Sequence, residues 1–531
     1  MALDLPTSTS RPDADNASLS PVPTIVEGRL PQNISVARKY TLLVIFCLAQ
    51  FTDAANGSSL FPALPILEET FDITPSESAW IISAFGLTFA SFLLISGKIS
   101  DVYNPKYAFI IGFAVLGIFS LIAGFMKDKI ALIVIRALCG IAASLTIPSS
   151  LTLIVNLFPD PSQQARAIGM FGGCGALGNI SGIFLGAIFV QFASWRWVFW
   201  FVSLIAIPVA AVCIFLIPNP RPDPRSSVPT GYAKWRSLDL VGVGILTAAL
   251  ILFIYAITSG SNGGWGTAGI LVPLIISVLM IVAFFVWETK IPVSIAAVPP
   301  QTWFLPNFSV LFAVALVPSL WFVTSFTIFP TLWQTYYHWS VISVAARLVP
   351  VGVICFAVSF SGGLSRYTSP KYILLPAQVL VLGATVLLRF GDAPDKYFRF
   401  ILPGFIIGAA GCMLTYTHGN IAIFRTSPPA MAGTVGAIYN GALQLGSAVG
   451  LSAVTSIQTS VEKTHGGPSS FAGRAAAFWF VCGVVGLELI SIAVFYRVDA
   501  EKSTEGAEPS GEGKEEDVDM KRQDNFNEMA V

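Results

Sequence analysis

The sequence predicts an all-α polytopic membrane protein, on three observations. Hydrophobic residues make up 54% of the chain against 11% charged, the apolar residues gather in runs about 20 long, and short loops bearing Pro, Gly or charge separate the runs. A soluble core of this size needs neither so much apolar content nor so little charge. A run of about 20 apolar residues crosses roughly 30 Å of hydrocarbon as a helix, the form that satisfies its own backbone hydrogen bonds.

Fourteen such runs start near Tyr40, Ala79, Tyr107, Ile130, Ala167, Trp197, Leu240, Ile270, Val310, Val341, Tyr372, Phe400, Thr434 and Ala475. An even number of crossings puts both tails on one side. With the tails placed in the cytosol, two thirds of the 30 Lys and Arg residues fall on that side, including Lys98, Lys106, Arg366 and Lys371, as the positive-inside rule requires. Lys127, Lys129, Arg389, Lys396 and Arg399 run against the bias. Residues 1–39 and 498–531 are polar, without periodic apolar pattern, and read as disordered cytosolic tails.

Charge and chemistry narrow the function. Lys plus Arg equals Asp plus Glu at 30 each, so no basic surplus suggests a nucleic-acid partner. The seven cysteines lie singly in apolar stretches, where a thiol behaves as a small hydrophobe, and no disulfide, metal or cofactor is expected. His338, His418 and His465 stand alone, without a Ser-His-Asp set or a phosphate-binding Walker loop, so no enzymatic constellation is expected.

An internal repeat sets the architecture. GKISDVYNPKY from Gly97 and GGLSRYTSPKY from Gly362 share Gly, Ser and Pro-Lys-Tyr at the same offsets, each between two helices on the tail side. Eight predicted helices separate the copies, which fits a six-helix bundle (40–217), a cytosolic linker (218–238), two inserted helices (239–290) and a second six-helix bundle (303–497). Two such bundles enclose one cavity, and rocking them exposes it to each side in turn.

GKISDVYNPK resembles the inner-loop signature of the major facilitator superfamily, with Gly97, Asp101 and Lys106 in the signature places. RALCGIAAS from Arg136 is similar to the family's helix-4 pattern, with Cys139 for the usual Gln. Gly169, Gly178, Gly182 and Gly186 follow the antiporter spacing of helix 5, with Ile183 and Ala187 where that motif has Pro and Gly. AWIISAFGLT from Ala79, SWRWVFWF from Ser194 and FFVWETKIP from Phe284 resemble the fourteen-spanner drug:proton antiporter branch, particularly its fungal members. The resemblance implies a monomeric proton-coupled exporter of small organic molecules such as drugs, toxins or secondary metabolites, in the plasma membrane in preference to the vacuolar one. Branch members similar to ammonium facilitators and borate exporters leave a carrier of small polar solutes as an alternative, and a non-transporting nutrient sensor as a third.

Site candidates follow from cost. A charge inside a span needs a partner or a water-filled cavity, which singles out Asp53, Arg136 and Glu488 for proton coupling, with Asp53 expected to pair with Arg136 and exchange its proton as the two approach and part. Gly97, Asp101, Lys106, Arg366 and Lys371 are expected to gate. Gly169, Gly178, Gly182 and Gly186 let helices approach closely. Asn56, Trp333, Gln334, Tyr416, His418, Asn420, Tyr439, Asn440 and Gln444 are the polar and aromatic residues expected to meet cargo, each having interhelical packing as its plainer alternative.

Overall fold

A computed structural model describes residues 34–73, 75–219, 239–263, 266–292, 296, 298, 300–427, 431–467 and 469–498. The predicted tails, except for residues near the membrane, and the linker beyond Asn219 lie outside the described residues.

Each predicted run falls on a helix. The first six are α1 (Val36–Ser58), α2 (Pro75–Val102), α3 (Pro105–Ala123), α4 (Lys129–Leu157), α5 (Pro161–Phe192) and α6 (Arg196–Leu216). The inserted pair is α7 (Leu240–Gly263) and α8 (Ala268–Glu288). The last six are α9 (Phe308–Thr331), α10 (Val341–Ser359), α11 (Pro370–Arg389), α12 (Leu402–Arg425), α13 (Ala432–Thr464) and α14 (Ala472–Phe495). No strand occurs among the described residues.

Local chemistry sets the starts. Asn104, Asp160 and Ser369 cap α3, α5 and α11 with a side-chain oxygen, and each is followed by a Pro, which costs nothing where an N–H has no helical partner. α4 is interrupted at Leu145, three residues before Pro148, which has no N–H to give the Ser144 carbonyl.

Among the described residues, twelve helices are long and apolar enough to cross a membrane. The two outside that set are α1, at 23 residues, and α13, at 33. They have the length and fall short in composition, because they carry Gln50, Asp53 and Asn56, and Asn440 and Gln444. These are helices whose polar faces meet protein, and apolar content is the cost.

Glycines join α1 to α5. A Cβ on Gly178 would lie 2.8 Å from Phe51 Cα, one on Gly182 2.8 Å from Ala55 Cα, and one on Gly186 3.0 Å from Ser59 Cα. Backbones this close admit no side chain, the small-residue packing of membrane helices. α9 and α13 repeat it, with a Cβ on Gly446 falling 2.9 Å from Leu316 Cα. One large apolar core joins α1 to α6 and another joins α9 to α14, the second reaching only Ile180, Ala176 and Ile183 across the divide.

Candidate functional site

The two sets of helices meet in a cleft of about 700 Å³. From the first set it is lined by α1, α2, α4 and α5, through residues that include Gln50, Asp53, Phe85, Phe89, Ile147 and Asn179. From the second it is lined by α9, α10, α12 and α13, with Phe322, Phe326, Gln334, Tyr416, Asn440 and Gln444. Phe61, Pro62 and Val341 carry the lining to the end opposite the tails.

Asp53 is the only charged side chain among the lining residues. It is 6% exposed; Oδ2 accepts the Thr146 hydroxyl, and Oδ1 is buried with no hydrogen bond. Thr146 reaches it from the turn that follows the break in α4.

Arg136 does not pair with Asp53, contrary to the expectation. Its Nη1 donates to Asn56 Oδ1 at 2.9 Å and its Nε to the Ile81 carbonyl at 3.1 Å, and the guanidinium lies 4.5 Å from the Phe85 ring centroid. Asn56 follows Asp53 by three residues on α1 and takes the cation on its amide oxygen, so acid and cation are joined through one helical turn. Asn56 is thereby a partner of Arg136, not a lining residue. Glu488 lies behind the second set's wall, accepting from Gln378 Nε2 at 3.4 Å, and outside the lining.

Of the cargo candidates, Gln334, Tyr416, Asn440 and Gln444 line the cleft. Trp333 does not: it is fully buried in a ring cluster with Phe329, Trp339, Tyr397 and Phe405. Trp333 and Gln334, neighbours in the π-helical turn Leu332–Tyr336, thus face different ways, one into the ring cluster and the other into the cleft. Tyr439 is buried behind Tyr416 and donates to its carbonyl at 3.2 Å. His418 meets Ser361 Oγ at 3.1 Å and Ser365 Oγ at 2.7 Å, fastening the 3-10 turn Phe360–Arg366. Asn420 is fully buried and outside the lining. Gln50, Asn179 and Thr146 were missed, although Gln50 stands three residues before Asp53 and shares its face.

The tail end of the cleft is closed. Asp101, at the end of α2, accepts from the backbone N–H groups of Gly433 and Thr434, both at 2.7 Å, and from Thr434 Oγ1 at 2.6 Å. These donors are the first turn of α13, whose own N-cap, Met431, gives no side-chain bond. Asp101 therefore caps another helix, and its charge faces the positive end of that helix. A Cβ on Gly97 would fall 2.6 Å from Ala437 Cβ and from Gly433 O, so the crossing needs glycine there. On the opposite seam a Cβ on Gly362 would fall 2.9 Å from the Ala165 carbonyl carbon, and a Cβ on Gly169 would meet the Ser359 carbonyl. No acid is needed there, because α5 is capped by its own Asp160 at the Gln163 N–H, 3.1 Å; Arg366, in the place of Asp101, is exposed.

Lys106 and Lys371 bind within their own sets and not across the seam. Lys106 Nζ donates to Asn219 Oδ1, beyond the end of α6, at 2.9 Å; Lys371 Nζ donates to the Ala493 and Tyr496 carbonyls at the end of α14, at 3.0 and 2.8 Å. The Pro-Lys-Tyr repeat thus holds the last helix of each set.

Two bundles of membrane helices around one central cleft, closed at one end by a cap that crosses between them, define a membrane transporter. Residues 46–451 match the Major Facilitator Superfamily. The chain is 27% identical over 464 residues to a major facilitator superfamily multidrug transporter of Aspergillus fumigatus, covering 86% of each chain. It is 27% identical over 499 residues to a puromycin resistance protein of Streptomyces alboniger, covering 89% of this chain and 94% of the other. A low affinity ammonium transporter of Saccharomyces cerevisiae is 25% identical over 465 residues, covering 85% and 87%. The solved structure of the human organic anion transporter MFSD10 superposes with a TM-score of 0.61 at 14% identity, covering 86% of this chain and 99% of that one, a likeness of fold. The chain belongs to the Major Facilitator Superfamily.

Proposed function

We propose that the protein exports small amphipathic organic molecules, neutral or cationic, in exchange for protons. The observation that carries this is the lining of the cleft: a single carboxylate, Asp53, among aromatic faces and amides, with no Lys, Arg or His. A space of about 700 Å³ suits a drug-sized ligand, for which apolar walls and a few placed polar groups are the rule. A cation is drawn to the carboxylate and to the ring faces of Phe85, Phe89, Phe322 and Phe326, and an anion has no counter-charge. The multidrug and resistance relatives support the class of cargo.

Asp53 exchanges proton for cargo in this reading. A carboxyl with one oxygen on Thr146 and the other bare takes a proton when the site is empty and yields it when a cation arrives. Arg136, held by Asn56 three residues away, makes α1 sensitive to that change. Asp101 is the gate at the tail end, and its release from α13 opens the cleft there. We read α1 and α13 as crossings also, giving fourteen spans in a chain that works as a monomer. The cation bias of the tail-side loops supports cytosolic tails, and an exporter so oriented empties the cytosol from the plasma membrane.

The test is transport in proteoliposomes under an imposed pH gradient, with lipophilic cations, neutral amphipaths, organic anions, ammonium and borate as the panel. Gradient-driven movement of cations or neutral amphipaths is expected, with anions unmoved. Asp53→Asn is expected to keep cargo exchange at equal pH and to lose the response to the gradient. Flux of ammonium or borate alone would reject the proposal.

A further inference from the structure

Of the inserted helices, α7 packs along the seam where α2 meets α13, and α8 packs on α7. Their ties to α2 are directional. Thr247 Oγ1 on α7 donates to the Ser91 carbonyl at 3.3 Å, and Tyr255 stacks on Trp80 with ring centroids 5.9 Å apart and planes at 28°. At the tail end Lys98 Nζ donates to the Ala296 carbonyl, beyond α8, at 2.9 Å, and the carboxylates that act on this ammonium are Asp101 first, then Glu288 and Asp239. Asp239 also pins the pair together, accepting from the Gly242 N–H and from Trp287 Nε1, each at 2.9 Å.

Ties to the second set combine one hydrogen bond of the same kind with a broader apolar contact. Ser452 Oγ on α13 donates to the Ile257 carbonyl at 2.9 Å. Apart from that bond, Ile245 and Leu246 of α7 pack on an apolar cluster containing Phe308 and Leu311 of α9 and Val435 and Ile438 of α13. Apolar contact has no preferred direction, so this surface slides once the single Ser452–Ile257 bond is broken. Lys98 and Asp101 are three apart and lie on one face of α2. The last turn of α2 thus holds the inserted pair with one residue and the α13 N-terminus with the other.

We propose that α7 and α8 form a strap that travels with the first six helices and slides over α9 and α13 when the tail end opens, with Lys98 as the residue that keeps it fastened. This rests on the reading of an alternating cleft. It gives the inserted pair a part in transport: when Asp101 lets go of α13, the strap remains across the seam, and that side stays shut to lipid while the halves separate.

Cross-linking decides it. In a transport-competent background lacking the seven native cysteines, Trp80→Cys with Tyr255→Cys joins α7 to α2, and Ile257→Cys with Ser452→Cys joins α7 to α13. Each pair is bridged with a short thiol cross-linker and transport is compared before and after. Linking α7 to α2 is expected to leave the rate within twofold, and linking α7 to α13 to lower it at least tenfold. Both links tolerated, both arresting, or arrest by the α2 link alone would each overturn the strap. A background that moves nothing on the panel before linking removes the transport reading itself, a separate result. For Lys98, hydrogen exchange in Lys98→Met is expected to rise at the tail-side ends of α7 and α8 and to stay unchanged in α11 and α12; unchanged exchange in α7 and α8 would overturn its role.

Discussion

Replacing Asp101 by Asn tests the proposal that this residue gates the tail end. The side chain keeps its shape and loses its charge, and an amide NH2 now faces donors that both carboxylate oxygens accepted: the Gly433 and Thr434 N–H groups and the Thr434 hydroxyl. Hydrogen bonds to a charged group contribute about 1.5–3 kcal/mol each, and a carboxylate at a helix N-terminus contributes up to ~2 kcal/mol where partly buried. With the Asn oxygen turned to Thr434, the bond from the Gly433 N–H and the charge are lost, so the loss is at least about 2 kcal/mol, taken in this reading from the state closed at the tail end. The balance between the two states then moves roughly thirtyfold toward tail-side opening. The assay is labelling of Gln444→Cys in the cleft by a membrane-impermeant maleimide applied from each face. In Asp101→Asn the tail-side rate is expected to rise at least tenfold and the opposite-side rate to fall. Unchanged rates on both faces would refute the assignment of Asp101 as the gate, and a fall on both would point to misfolding.

Three further outcomes follow from contacts already described. Gly182→Val sets a branched side chain against Ala55 Cα, where even a Cβ would lie 2.8 Å away; backbone cannot yield as a side-chain end does, and thermal stability in detergent is expected to fall by several degrees with loss of folded yield, whereas Gly441→Ala, with open space at its Cβ, is expected to leave both unchanged. Trp333→Ala removes a fully buried ring from the aromatic cluster and is expected to cost about 3–5 kcal/mol, while Trp333→Phe keeps the KM for every cargo; a selective change in KM would return Trp333 to the binding surface. Gln444→Leu is expected to shift the ranking of cargoes by KM while leaving the melting temperature within a degree or two, since its side chain lines the cleft; equal changes for all cargoes would count against contact.

Much of the fold was legible from the chain because lipid enforces it. A segment that must bury its backbone polar groups in hydrocarbon has one economical form, so run length located all fourteen helices, twelve of them long and apolar enough to cross a membrane among the described residues, and the repeated Gly-Ser-Pro-Lys-Tyr placed the two tail-side loops. Glycine spacing on α5 announced a close approach, since only an absent side chain permits one. Asp53 was legible too: a carboxylate within a span demands a cavity or a partner.

What the tertiary structure alone decided was partnership and facing. A membrane helix that is apolar on every side has no amphipathic stripe to show which side meets protein, so which of the neighbours Trp333 and Gln334 faces the cleft was decided by how their helix packs. Arg136 found Asn56 and the Ile81 carbonyl, not Asp53, because its reach is set by how α1, α2 and α4 pack. Asp101 found the bare first turn of α13, 332 residues away, and no local pattern connects an acid to a helix end so distant. Sequence determined where this chain enters lipid and what charge it carries there, because those are costs of transfer from water; which charged group meets which was settled by packing, because in a medium without competing water each polar group takes the partner that geometry brings.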